Sequence, residues 1–134
     1  MTTPAPLTEG VHHIALLVDD LPQAEHFYST LLGLPLERRW PGEGGEDRSV
    51  WLQLGPHTLL MLERSNTDAR RRENSAGGWH LIALNISPET RQSWKAHLKA
   101  QGLSPVEESS FSLYYQDPEG NKVALSHWPQ EASP

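Results

Sequence analysis

The chain has 134 residues, enough for one domain with a core of its own, and its 11 Lys and Arg against 17 Asp and Glu leave a net charge of −6. That acidic balance argues against nucleic acid as a partner, and the absence of cysteine excludes disulfides, thiolate metal sites and cysteine nucleophiles. No apolar run approaches the ~18 residues of a membrane span, and Met1 to Gly10 carries neither a basic stretch nor an apolar signal core, so the expectation is a cytoplasmic protein with no membrane partner.

From His12 to Val18 apolar residues alternate in a β-branched run that predicts a strand. Asp20 then caps a helix, with Gln23 completing a capping box, Leu21, Ala24, Phe27 and Leu31 on one face and Gly33 as the stop. Short strands are predicted near Leu36 to Trp40, Ser49 to Leu54 and Thr58 to Glu63, the first two joined by the glycine-rich loop "PGEGGED", residues 41 to 47. Residues 64 to 78 are polar and glycine-ended, a connecting loop whose Arg70-Arg71-Arg72 run reads as solvated surface.

The order of elements then repeats. A strand is predicted from His80 to Ile86, and a helix follows with Ser87 as cap, Pro88 at the first helical position, Trp94 and Leu98 on one face and Gly102 at the end. Strands follow near Ser104 to Glu107, Phe111 to Gln116 and Lys122 to Ser126, the last two joined by the turn Asp117-Pro118-Glu119-Gly120-Asn121. Ile14-Ala15-Leu16 matches Ile82-Ala83-Leu84 at an offset of 68, and Gly33-Leu34 matches Gly102-Leu103 at an offset one larger. The chain therefore reads as an internal duplication: a single α+β domain over 1–134 built from tandem βαβββ modules at 10–63 and 79–128, with the linker 64–78 between them.

Such a tandem, with "HHIALLVDDL", "FYSTLLGLPL" and "YYQDPEGNKVAL", resembles the vicinal-oxygen-chelate superfamily, which groups glyoxalases, fosfomycin resistance transferases, epimerases, extradiol dioxygenases and bleomycin resistance proteins. The resemblance implies a curved mixed sheet forming a cup, with helices outside. It also implies a homodimer, in which strands of both copies can build the cups. Metal-using members place one ligand on the first strand and one on the last strand of each unit.

Strand alternation tests those positions. Ile14, Leu16 and Val18 turn toward the helix and His13, Ala15 and Leu17 toward the cup; in the second unit Ile82, Leu84 and Ile86 turn toward the helix and Leu81, Ala83 and Asn85 toward the cup. His13 matches the first ligand position and Leu81 its counterpart, because His80 is displaced by one residue onto the opposite face unless a β-bulge re-aims it. The family pattern places the other two positions at Leu60, with Glu63 beyond it, and at Ala124. One imidazole among leucine and alanine lacks the three or more donors of a catalytic metal site, so neither metal nor cofactor is expected.

An apolar cup suits a small aromatic or amphipathic ligand, with Trp51, Gln53, Ser112 and Tyr114 also facing inward. Ser112 and Tyr114 stand where they resemble phosphonate-contacting positions of fosfomycin resistance proteins, although packing or a dimer interface accounts equally for Trp51 and Tyr114. His13 is either a neutral, hydrogen-bonded histidine or a candidate catalytic base or ligand anchor. Trp94 reads as helix core and Trp40, Trp79 and Trp128 as rim residues; with the acidic charge, the rim aromatics suit a flat cationic ligand. The leading reading is a metal-free, homodimeric sequestration protein similar to bleomycin resistance proteins. Open beside it are a divalent-metal-dependent lyase, epimerase or thiol transferase using His13, His80 and Glu63, a cofactorless enzyme with His13 as base, and an interaction module with a vestigial cup.

Overall fold

A computed structural model describes residues 4–65 and 77–132 of the chain. The first half forms β1 (His13–Val18), α1 (Leu21–Glu25), β2 (Leu36–Pro41), β3 (Asp47–Gly55) and β4 (Thr58–Arg64). The second forms β5 (Leu81–Asn85), α2 (Arg91–Ala100), β6 (Glu107–Glu108), β7 (Ser112–Gln116) and β8 (Lys122–Ser126). Two four-stranded mixed sheets result, in the orders β1-β4-β3-β2 and β5-β8-β7-β6, with β1 parallel to β4 and β5 parallel to β8. The βαβββ order expected from the repeat is thus present twice. Of the linker, residues 66–76, including Arg70-Arg71-Arg72, lie outside the described residues.

Alternate residues of both sheets meet the helices in one core. Val18, Val50, Leu52, Leu60 and Leu62 come from the first sheet, Leu113, Tyr115, Val123 and Leu125 from the second, and Leu21, Ala24, Phe27, Leu31 and Leu98 from the helical segments. Burying these side chains supplies most of the driving force for folding, at about 25 cal/mol per Å² of apolar surface removed from water.

Asp20 caps α1 as expected, its Oδ1 accepting the Gln23 N–H at 3.0 Å. The return bond comes from elsewhere: Glu119, in the β7–β8 turn, accepts the Asp19 N–H at 2.9 Å and the Asp20 N–H at 3.4 Å. Beyond Glu25 the helix widens into a π-helical stretch, His26–Leu31, which turns Tyr28 as well as Phe27 into the core. The Tyr28 hydroxyl donates to Asp117 Oδ2 at 2.5 Å, and the same buried carboxylate accepts the backbone N–H groups of Glu119 and Asn121 at 2.9 and 2.7 Å and the Asn121 side-chain amide at 2.9 Å. "DPEGN" is therefore a turn, as expected, and also a joint between the two halves of the chain.

The second helix departs from its expected start. The Ser87 hydroxyl donates to the Glu89 carboxylate rather than capping backbone, and a 3₁₀ turn, Pro88–Thr90, precedes α2. Its end is as expected: Gly102, at φ +85°, donates to Lys99 O and Leu103 donates to Leu98 O, the paired bonds of a Schellman motif. The strand expected near Ser104 to Glu107 shrinks to Glu107–Glu108, since Pro105 has no N–H to give a ladder.

Candidate functional site

The face of each sheet turned away from the helices is read from cross-strand register. On the first sheet three rows run from β2 or β3 to β1: Trp40, Ser49, Glu63 and Leu17; Arg38, Trp51, Met61 and Ala15; Gln53, Leu59 and His13. On the second they are Ser112, Ser126 and Asn85; Glu107, Tyr114, Ala124 and Ala83; Gln116, Lys122 and Leu81. "SVWLQ" and "SLYYQ" thus present Ser49, Trp51 and Gln53 in one sheet and Ser112, Tyr114 and Gln116 in the other at equivalent places. The duplication extends to the open faces.

Of the residues expected there, His13, Trp51, Gln53, Leu81, Asn85, Ser112, Tyr114 and Ala124 lie on these faces, and Leu60 does not. Leu60 pairs with Ile14 and Leu52 and is fully buried against the helices, so its neighbours Leu59 and Met61 hold the open-face positions. The cause is that "TLLML" is apolar on both faces and shows no alternation from which parity can be read. His80 precedes β5, and the β5–β8 ladder runs from Leu81 to Asn85 without a register shift, so no bulge re-aims it. Arg38, Met61, Leu59, Lys122 and Glu107 were not anticipated. Arg38 in particular follows a register shift between Leu36 and Arg38, a bulge that moves it to the face opposite Leu36.

His13 is exposed, and its nearest polar partner is another imidazole: His12 Nδ1 lies 3.0 Å from His13 Nδ1, the rings edge-on at 5.2 Å. On its face of the sheet Leu59 is its cross-strand partner and Ala15 and Met61 form the next row. Glu63 pairs with Leu17, four residues along the strand from the Leu59 that pairs with His13, a separation of roughly 13 Å at ~3.3 Å per residue. Among the described residues, no group of three or more His, Cys, Asp or Glu is placed to hold a metal ion.

The remaining polar groups are mostly paired within the chain. Trp51 Nε1 donates to Ser49 Oγ at 2.8 Å, Ser112 Oγ to Ser126 Oγ at 2.8 Å, and Gln53 to Glu37 at 2.7 Å. Trp40 and Trp51 stack at 5.2 Å with a 59° tilt. The Arg38 guanidinium lies 3.8 Å over the Trp40 ring, and the Lys122 ammonium 4.8 Å over the Tyr114 ring while bonded to Glu107 at 3.1 Å. Of the rim aromatics expected to suit a cationic ligand, Trp40 thus carries a cation of the chain, while Trp79 and Trp128 are exposed. Trp40 Nε1 is buried with no acceptor among the described residues, a position that ordinarily costs about 1–3 kcal/mol.

A separate concavity of about 420 Å³ lies between the β5–α2 connection and residues 127–130, lined by Asn85, Ser87, Glu89, His127, Trp128 and Gln130 among others. Its buried histidine has both nitrogens engaged: His127 Nε2 faces the Arg91 guanidinium at 3.0 Å and so accepts, leaving Nδ1 to donate to Gln130 O at 2.6 Å. Arg91 in turn donates to Ser109 O at 2.9 Å and reaches Glu108 at 3.3 Å. That cluster ties the segment after β8 to α2.

Among solved structures, the fold matches a glyoxalase/dioxygenase from Nostoc punctiforme with a TM-score of 0.74 and 19% identity, over 96% of this chain and 100% of that one. It matches a lactoylglutathione lyase from Agrobacterium tumefaciens with a TM-score of 0.64 and 23% identity, over 92% and 98%. It matches a genomically encoded fosfomycin resistance protein from Listeria monocytogenes with a TM-score of 0.70 and 17% identity, over 90% and 93%. No curated protein sequence matches. Among the described residues no helix is long and apolar enough to cross a membrane. The pattern that defines the Glyoxalase/Bleomycin resistance protein/Dioxygenase superfamily matches residues 10–125, and the chain, with its two βαβββ units, belongs to this superfamily.

Proposed function

We propose that the chain is a small-molecule-binding member of its superfamily that encloses an aromatic or amphipathic compound between open sheet faces, without making or breaking bonds, in the manner of a resistance or sequestration protein. The observation that carries this reading is the open face of the first sheet on which His13 stands: Ala15, Leu17, Leu59, Met61 and Trp51 share it, apolar and aromatic residues of the kind that line ligand pockets.

A resident divalent ion does not fit the residues present. Among the described residues His13 has one other donor beside it, the imidazole of His12, which falls short of the three or more a catalytic ion needs; Glu63 is roughly 13 Å along the strands, too far to join them through bonds of ~2 Å, and the equivalent positions of the second sheet are Leu81, Ala83 and Ala124. No step is therefore routed through a metal.

The working unit is a homodimer. β1 and β5 each pair on one side only, leaving two sheets with open edges, and Leu17, on the open face of β1, is 70% exposed. Closure against a second copy would satisfy those edges and cover that side chain.

Thermal-shift screening against aromatic, amphipathic and bleomycin-like compounds, with parallel loading of nickel, manganese and zinc, tests the reading. At least one compound class should raise Tm and be recovered unchanged, and desalting should leave no stoichiometric metal. Metal retained in stoichiometric amount and lost in His13→Ala overturns it, as does a panel in which no compound stabilises the protein.

A further inference from the structure

We infer that the ligand received by the first sheet is a planar aromatic anion, with its acid group between the Arg38 guanidinium and the Trp40 indole N–H and its ring against Trp51. This rests on the reading of the open faces as a small-molecule site and adds the charge of the guest.

Two unmet demands coincide at one end of this face. Arg38 is exposed, lies 3.8 Å over the Trp40 ring, and has no carboxylate partner among the described residues, although the chain carries an excess of carboxylates. Two other arginines of the first sheet are paired, Arg39 with Glu25 and Asp47 and Arg64 with Glu46, while Arg48, like Arg38, has no carboxylate partner among the described residues. In the ring that Arg38 covers, Trp40 Nε1 is a buried donor without an acceptor among the described residues. A guanidinium and an indole N–H side by side are donors only, and their shared requirement is an oxygen anion. Arg38 is long and exposed, so its guanidinium can swing off the ring face toward one acid oxygen, while the indole N–H, which points along the ring plane, meets another after a local shift of the groups that bury it.

The neighbouring chemistry sets the rest of the guest. Trp51, tilted 59° to Trp40 at 5.2 Å, and Met61 beside it offer an aromatic and apolar bed. Two carboxylates also face this side. Glu37 is engaged by Gln53 at 2.7 Å, and Glu63 lies in the Trp40 row but two strands away, roughly 10 Å across the sheet. Glu63 therefore repels an acid group at the β4 side and favours its placement at β2.

A matched pair of dyes tests this: 1-anilinonaphthalene-8-sulfonate and N-phenyl-1-naphthylamine share one ring system and differ in the sulfonate, and a naphthylmethyl-trimethylammonium salt serves as the cationic counterpart. Fluorescence titration of the folded protein, checked by near-UV circular dichroism, should show the sulfonate bound about tenfold tighter than the neutral dye and the cation weakest. Arg38→Gln should cut that advantage to about twofold or less and leave the neutral dye unchanged. Trp40→Phe, which keeps an aromatic ring and removes the donor, should weaken only the sulfonate. Equal binding of the two dyes, preference for the cation, or an anion advantage that survives Arg38→Gln overturns the inference while leaving the small-molecule reading in place. Failure of every dye to bind removes both.

Discussion

Replacing Tyr28 by Phe isolates the joint between the two halves of the chain. The ring stays in the core and only the hydroxyl is lost, taking with it the 2.5 Å bond to Asp117 Oδ2. Tyr28 is 1% exposed and Asp117 2%, so water does not replace that donor, and the carboxylate keeps only its three N–H partners. A hydrogen bond to a charged group contributes ~1.5–3 kcal/mol net, so Y28F should cost about 2 kcal/mol. With an unfolding entropy of ~2.1 cal/mol/K per residue over 134 residues, or ~0.28 kcal/mol/K, the expected fall in Tm is roughly 7 °C. Tyr115 supplies the control, since it is equally buried but its hydroxyl has no partner among the described residues. Y115F should be neutral or slightly stabilising. Urea unfolding at neutral pH, followed by tryptophan fluorescence, measures both; a Y28F cost below about 0.5 kcal/mol, or a Y115F cost equal to it, refutes the assignment of Tyr28 and Asp117 as a strut.

Burial, followed by the Asp117 carboxylate beside it, pushes the Tyr28 hydroxyl well above its ordinary value near 10. The unfolded chain therefore loses this proton at a pH where the folded one keeps it, so stability should fall as pH rises past about 10, by up to ~1.4 kcal/mol per pH unit from this group, and Y28F should flatten the slope in urea midpoints. Strand parity is tested by L60A and L59A: Leu60 is fully buried in the core and should cost about 2–5 kcal/mol in denaturant unfolding, while half-buried Leu59 on the open face should cost under about 1. Equal costs would mean that β4 is misassigned. Arg91→Met keeps the stem but leaves Ser109 O and His127 Nε2 without their donor, and should lower stability by about 2–3 kcal/mol by urea titration. A loss below about 1 kcal/mol would show that the cluster behind α2 holds nothing together.

The boundaries of β1, the Asp20 cap, the Schellman end at Gly102 and the "DPEGN" turn were legible because each depends on a few adjacent residues: an alternation, a side-chain oxygen three positions from an N–H, a glycine at positive φ. The same locality made the repeat visible. Leu60 was not legible, because an all-apolar strand has no pattern to betray its faces and only the pairing with Ile14 and Leu52 orients it. Tyr28 was not, because a π-helical widening moved it off the helical period and its partner lies 89 residues away. Arg38 was hidden by the bulge after Leu36, which reverses the parity counted from that end of β2.

On its own, then, the sequence determined which segments are strands and helices and that they come in two equivalent sets. Those are properties of composition and short-range periodicity. Tertiary structure decided which residues share a face, which aromatic rings already carry cations and which donors remain without a partner. Register between strands and contacts between distant residues set these features, and neither is written in any single stretch of chain.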